Sequence, residues 1–176
     1  MTEYESCPGC GATLPKVNGP THRYIGASPA CWAIYTALSN AGEPPIAPTP
    51  ARALIVDAYA AQHPGTPSPQ AIQSVAVHLL VLYGVLMRGV DPGTALWIRR
   101  RALRKRNGRK HDRFPWLTPP SFAGSLTVAD IARAPTPPAR AELSGSYVEA
   151  VWTRWSESHA ATVAAWYDEY VVPEKL

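Results

Sequence analysis

The sequence has few cysteines and no long uninterrupted hydrophobic segment. Only three of the 176 residues are cysteine, too few for the disulfide framework that stabilises many small secreted proteins. The longest nearly apolar run, residues 75–87, contains a histidine and is shorter than the ~20 residues that span a bilayer. The opening residues, MTEYE, carry acids and no apolar run, unlike a secretory signal. We therefore expect a soluble, cytoplasmic protein that has no membrane partner.

Positive charge is scarce outside one segment. The net charge of the chain is +4, but residues 99–113 hold nine Arg or Lys and one Asp, a local charge of +8 that leaves −4 elsewhere. Such a cationic helix favours binding to a polyanion, either nucleic acid or an acidic protein. The residues that would carry it are Arg99, Arg100, Arg101, Arg104, Lys105 and Arg106. No aromatic residues interleave with these charges, so a solvated cationic face explains the pattern equally well.

Proline is abundant, with 19 residues, roughly twice the average usage of about 5%. This frequency predicts short helices separated by rigid turns. Three of the predicted helices begin with a capping residue followed by proline, at Ser28, Ser68 and Asp91. The sequence therefore predicts a mainly α fold, a compact bundle of four or five helices with little strand. We expect a single domain over residues 1–176, in which an irregular zinc-knuckle segment, residues 1–28, packs on a helical bundle, residues 29–171.

The apolar periodicity places these helices along the chain. The predicted helices cover residues 28–40, 51–63, about 70–87, 92–107 and roughly 146–171, with a further short helix in the stretch TVADIARA. The last of these carries tryptophans at helical spacing, which indicates core packing.

The three cysteines point to a metal. Cys7 and Cys10 flank a Pro-Gly turn that brings two sulfurs to one ion, and Cys31 falls in the first turn of a predicted helix. Zn²⁺ prefers thiolate and imidazole ligands in a tetrahedral shell. His63, at the end of the second predicted helix, is the expected fourth ligand, because it would tie the knuckle to the bundle. His22, which is close in sequence, and His78 remain alternatives.

Other interpretations of these residues stay open. Cys7 and Cys10 could form a redox pair, although that interpretation requires a βαβ context. His78 and His159 each lie on an apolar helical stripe, where a histidine is most often a core residue. In a bundle, the two could instead line one interhelical cavity with Asp57 or Tyr59, as in the metal or acid–base sites of other bundles.

Several stretches resemble a bacterial family of unknown function. They are CPGCGA, GPTHRYIGASPACWAIY, VDAYAAQHPG, SVAVHLLVLYGVL and FPWLTPPSFAGSLTVADI, and the likeness extends to the tryptophan-rich final helix. The resemblance implies that one site contains Cys7, Cys10, Cys31, His63 and His78. It implies no established activity.

The sequence thus predicts a zinc-stabilised helical protein that acts as a binding or accessory module. Four protein ligands would close the zinc shell, which is typical of a structural metal. Two alternatives remain: a small metalloenzyme with a pocket around His78 and His159, and a nucleic-acid binder that uses the basic helix 99–113.

Overall fold

The structure, a computed structural model, describes residues 2–40, 50–104 and 114–172, and it is mainly helical. In chain order the elements are β1 (Tyr4–Ser6), β2 (Thr13–Pro15), α1 (Pro29–Asn40), α2 (Pro50–Gln62), α3 (Pro69–Leu86), a 3-10 turn (Pro92–Thr94), α4 (Ala95–Leu103), α5 (Val128–Arg133) and α6 (Pro137–Tyr170). The prediction of a mainly α fold with little strand is confirmed. The described residues form six α-helices, because the TVADIARA stretch contributes the short helix α5.

Proline occupies the first position of four of the six described α-helices, α1, α2, α3 and α6. The Ser68 hydroxyl accepts a hydrogen bond from the Ala71 N–H at 3.1 Å, and Pro69 follows it. Thr136 caps α6 in the same way, with Pro137 next. Proline is tolerated here because the first N–H of a helix has no partner within the helix. The predicted start of the final helix near residue 146 is therefore wrong by nine residues.

The basic helix is shorter than predicted. A 3-10 turn follows Asp91, whose carboxylate accepts from the Gly93 N–H at 2.8 Å, and α4 then ends at Leu103. Arg104 leaves the helix with an extended backbone, at ψ 97°. The predicted continuation to residue 107 is wrong at residue 104, and residues 105–113 lie outside the described part of the chain.

Helix α3 runs through the centre of the core. It packs against α2, α4 and α6, and four consecutive residues, Leu79 to Leu82, have no exposed surface. At Gly84 a Cβ would approach Tyr167 on α6 to 2.7 Å and Ile98 on α4 to 2.8 Å, so these three helices meet closely. Helix α3 has 18 residues and is the one described helix long and apolar enough to cross a membrane. Half of it is buried inside the protein, as in the core helix of a soluble domain.

The tryptophan-rich face of α6 lies in the core, as the sequence predicts. Trp155 is fully buried, and its indole N–H donates to the Ala61 carbonyl of α2 at 3.0 Å. The buried Tyr147 hydroxyl donates to Gln62 Oε1 at 3.1 Å. Polar atoms of α6 therefore bind the end of α2, and this contact fixes the position of the residue that follows α2, His63.

The N-terminal segment is not irregular throughout, in contrast to the prediction. Strands β1 and β2 form an antiparallel hairpin in which Tyr4 faces Pro15 and Ser6 faces Thr13. The turn between them is closed by hydrogen bonds from the Cys7 N–H to Ala12 O at 2.9 Å and from the Gly11 N–H to Cys7 O at 2.8 Å. Gly11 has φ +74°, a conformation that other residues rarely adopt.

Candidate metal centre

The hairpin turn places two cysteine sulfurs on one side of the chain. Cys7 is the first residue after β1, and Cys10 ends the Pro-Gly turn. Both are buried, with 1% of their surface exposed. The backbone N–H of Ser28 donates to Cys7 Sγ at 3.4 Å, so the segment before α1 already binds one of these sulfurs.

The third sulfur comes from the first turn of α1. The Ser28 hydroxyl accepts from the Cys31 N–H at 3.4 Å, and the Ser28 carbonyl accepts from the Trp32 N–H. Ser28 is therefore the N-cap that the sequence predicts. This cap fixes the orientation of Cys31, whose Sγ lies 3.9 Å from Cys10 Sγ.

The imidazole of His63, immediately after α2, completes the cluster. Its Nδ1–H donates to the Tyr59 carbonyl at 2.8 Å, which leaves Nε2 facing Cys31 Sγ at 3.4 Å. A backbone carbonyl in this position fixes the tautomer and the ring orientation of metal-binding histidines. The Tyr59 hydroxyl also donates to Cys31 Sγ at 3.7 Å, so Tyr59 supports two members of the cluster.

The four side chains lie close enough together to hold one metal ion. The donor atoms of Cys7, Cys10, Cys31 and His63 all lie within 4.8 Å of one another, and all four residues are buried. In a tetrahedral zinc site, bond lengths of about 2.3 Å to sulfur and 2.0–2.1 Å to nitrogen separate two sulfurs by about 3.8 Å and sulfur from nitrogen by about 3.6 Å. The distance of 3.9 Å from Cys10 Sγ to Cys31 Sγ and that of 3.4 Å from Cys31 Sγ to His63 Nε2 fit this shell.

The protein alone does not stabilise negative charge on all three sulfurs. Hydrogen bonds from the Cys10 and Cys31 thiols lower the pKa of Cys7 far below its usual range. At Cys10, contact with Cys31 lowers the pKa, but contact with Cys7 and burial outweigh it and raise the pKa to about 11. Contacts with Cys10 and Cys7, together with burial, raise the pKa of Cys31 strongly. A bound dication would supply the missing positive charge, because metal ligation deprotonates a thiol outright.

Gly9 allows the hairpin to approach His63. A Cβ at Gly9 would lie 2.5 Å from His63 Cδ2 and 2.7 Å from the Gly26 carbonyl oxygen. The Gly26 N–H in turn donates to the His63 carbonyl at 3.0 Å. No local pattern in the sequence signals this role of Gly9, because His63 is more than fifty positions away in the chain.

His22, the competing fourth ligand, is not part of the described cluster. Its ring packs edge-on against Tyr24, with ring centroids 4.4 Å apart, and lies 5.3 Å from the Trp32 ring. The structure therefore brings His63, and not His22, to the three sulfurs.

Of the other predicted pocket residues, His78 and Asp57 bind each other, whereas His159 and Tyr59 bind elsewhere. His78 Nδ1 lies 2.7 Å from Asp57 Oδ1, as expected of a carboxylate that orients an imidazole. His159 Nε2 donates to the Thr118 carbonyl at 2.9 Å, and its ring packs on Trp155. Tyr59 belongs to the cysteine cluster. The described contacts thus join His78 to Asp57 but give His159 and Tyr59 other partners.

Part of the basic segment is engaged within the protein. Arg99 forms a bidentate ion pair with the buried Asp57 carboxylate, a contact that no pattern in the sequence predicts. The Arg101 Nε–H donates to the Val171 carbonyl at 3.3 Å. Arg100 and Arg104 are exposed, and Lys105 and Arg106 lie outside the described residues. Polyanion binding by this segment stays a prediction.

Comparison with known proteins identifies a family. The sequence model of a family described as "Family of unknown function (DUF5946)" matches residues 5–156. The match covers most of the chain, so the chain belongs to this family, and the predicted resemblance to a family of unknown function is confirmed. No curated protein and no solved structure matches the chain.

Proposed function

We propose that this member of the DUF5946 family is a zinc-stabilised helical protein of the cytoplasm, and that its zinc is structural. The observation that supports the proposal best is the gathering of four buried donor atoms, three sulfurs and one imidazole nitrogen, within 4.8 Å of one another. The donors come from the hairpin, from α1 and from the end of α2. One ion would therefore join three parts of the chain that are distant in sequence.

The donor set favours zinc among the common protein metals. Three thiolates and one imidazole in tetrahedral positions are typical of structural zinc, whereas calcium and magnesium require oxygen ligands. Three thiolates around Zn²⁺ carry a net charge of −1. The N–H of Ser28 and the hydroxyl of Tyr59, which both donate to the sulfurs, would offset that charge.

A structural role follows from the closure of the shell. Catalytic zinc keeps one coordination position for water or substrate. Here four protein ligands would fill a tetrahedral shell, and each of them has at most 1% of its surface exposed. The metal would thus hold the fold together and would leave chemistry to other residues.

The number and placement of the cysteines support a reducing compartment. The chain has three cysteines, and all of them belong to the candidate metal cluster, so none forms a disulfide framework. Thiols persist in the cytoplasm, whereas disulfides form in secreted proteins.

A cavity of about 630 Å³ lies beside the candidate metal centre and supports a role as a binding or accessory module. Pro8 and Gly9 of the hairpin turn line it, together with Pro64 and Gly65, which follow His63.

Metal analysis of two matched variants tests the proposal. Elemental analysis of the purified chain should give about one zinc per molecule, and a chelator should lower both the helical circular dichroism signal and the thermal midpoint. His63→Asn keeps a donor for the Tyr59 carbonyl but lacks Nε2, so we expect it to lose zinc. His22→Asn should keep zinc. Metal-free protein of unchanged stability, or equal zinc content in both variants, would refute the proposal.

A further inference from the structure

A second polar cluster lies away from the cysteines, where α2, α3 and α4 meet. Asp57 on α2 is fully buried, and its carboxylate accepts from His78 Nδ1 on α3 at 2.7 Å. The same carboxylate accepts two hydrogen bonds from Arg99 on α4, from Nε at 3.1 Å and from Nη2. The Asp57 carboxylate thus accepts three hydrogen bonds, which fix the orientation of the His78 ring and the Arg99 guanidinium.

Both partners of Asp57 also reach a cavity. His78 and Arg99 line an open cavity of about 460 Å³ with Tyr24, Gln73 and Ser74. The side chains of His78 and Arg99 are 17% and 23% exposed. The second ring nitrogen of His78, Nε2, and the Nη1 group of Arg99 form no hydrogen bond with any described residue. Each side chain therefore has one polar group bound to Asp57 and another available to a ligand.

The described residues that line the cavity include the cation Arg99 and no Asp or Glu. The Asp57 carboxylate, which binds His78 and Arg99, is fully buried and is not part of the lining. Tyr24 and Gln70 also line the larger cavity beside the metal centre, to which Arg23 adds another cation and no described residue adds an acid. A cleft with this lining attracts anions. At about 460 Å³, the cavity lined by His78 and Arg99 fits a small organic molecule, since ligand pockets measure about 300–1,000 Å³.

We propose that this cavity binds a small organic oxyanion, a molecule with a carboxylate or phosphate group, between His78 and Arg99. Arg99 donates to the oxyanion through Nη1, and the imidazolium form of His78 donates through Nε2–H. Asp57 is a positioning residue: it holds the ring of His78 and the guanidinium of Arg99 in place and does not touch the ligand. The site is separate from the cysteine cluster, so it does not depend on the proposed zinc.

Nuclear magnetic resonance of the full chain tests this site with two probes, inorganic phosphate and acetate, each titrated near pH 6 at constant ionic strength with chloride as the balancing anion. We expect saturable shifts at the ring of His78 and at the backbone amides of Gln73 and Ser74. Saturation by only one probe identifies the oxyanion class. Absence of saturable shifts at these residues with both probes overturns the proposal.

Two variants separate a built site from general charge attraction. His78→Asn keeps a donor for Asp57 but lacks Nε2, and we expect the affinity, followed at the amides of Gln73 and Ser74, to fall at least about tenfold. Arg104→Gln removes an exposed charge outside the cavity lining and should leave the affinity unchanged within about twofold. Wild-type affinity in His78→Asn, or an equal loss in both variants, overturns the proposal. Zinc content measured in parallel should be the same in all three proteins, which keeps this test independent of the metal centre.

Discussion

Replacing Gly9 by alanine tests the arrangement of the metal centre directly. A Cβ at this position would lie 2.5 Å from His63 Cδ2, 2.7 Å from the Gly26 carbonyl oxygen and 2.9 Å from His63 Cα. Ordinary contacts of this kind begin at 3.4 Å. The hairpin and His63 would therefore have to separate by about 0.9 Å, because two of the three neighbours are backbone atoms and the third is on a ring held by Tyr59.

That displacement is large for a metal site, where ligand distances vary by only about 0.2 Å. Overpacking of this kind costs about 1–3 kcal/mol. With about 2 kcal/mol as the central value, zinc affinity should fall about thirtyfold. The thermal midpoint of the zinc-loaded protein should fall by about 4–8 °C, since 1 kcal/mol corresponds to about 2–4 °C at this chain length.

Zinc affinity is measured by competition with a chromophoric chelator, and the midpoint by calorimetry. Substitution with Co²⁺ adds a test of geometry, because the absorption bands of a tetrahedral thiolate site change when a ligand moves. Gly145→Ala is the matched control: its Cβ meets no described atom within 4 Å, and alanine in a helix should stabilise the protein by about 0.5–1 kcal/mol. Wild-type zinc affinity and midpoint in Gly9→Ala would refute the close approach of the hairpin to His63.

Two further predictions concern buried polar groups of the helical core. Asp57→Asn should lower the free energy of unfolding, measured with urea, by about 3–5 kcal/mol, because it leaves Arg99 without a counter-charge. The control Asp168→Asn breaks an exposed ion pair with Arg88 and should lower it by less than about 1 kcal/mol. Equal losses in the two variants would contradict this reasoning. Burial raises the pKa of Tyr147 well above its usual value. The folded chain therefore retains a proton that the unfolded chain releases near pH 10, so the free energy of unfolding should fall as the pH rises above about 10. Tyr147→Phe should make that decline shallower by one proton in urea unfolding across this range, and a slope identical to wild type would contradict the assignment.

The sequence alone predicts the ligand set of the candidate site but not the reason for its geometry. Cys7 and Cys10 are separated by a turn sequence, and Cys31 follows a capping serine, so local rules identify both sulfur positions. The choice between His22 and His63 depends on tertiary contacts. The hydrogen bond from His63 to Tyr59 is local, one helical turn away, and it could have favoured His63 before the fold was known. The fit of Gly9 against His63 is long-range and has no local signal.

Errors in the predicted helices have two physical sources. The predicted final helix begins near residue 146, after Pro137 and Pro138, whereas α6 begins at Pro137. Proline at the start of a helix costs little because its missing donor is not needed. The hairpin strands are only three residues long each, too short for an alternating pattern to be recognised. The pairing of Asp57 with Arg99 joins residues 42 positions apart, and periodicity within each helix says nothing about which charges meet across helices.

The hairpin shows why a metal would be needed at this end of the molecule. A two-stranded hairpin is marginally stable by itself, and apart from its cysteines this one contributes a single core residue, Leu14, to the packing against α1. Full burial of one leucine is worth about 1.5–3 kcal/mol, whereas structural zinc contributes about 10–16 kcal/mol in isolated fingers. The helices around α3 bury whole apolar faces and have no comparable need. A metal that joins the hairpin and α1 to the end of α2 would therefore stabilise the part of the chain that buries few apolar side chains of its own.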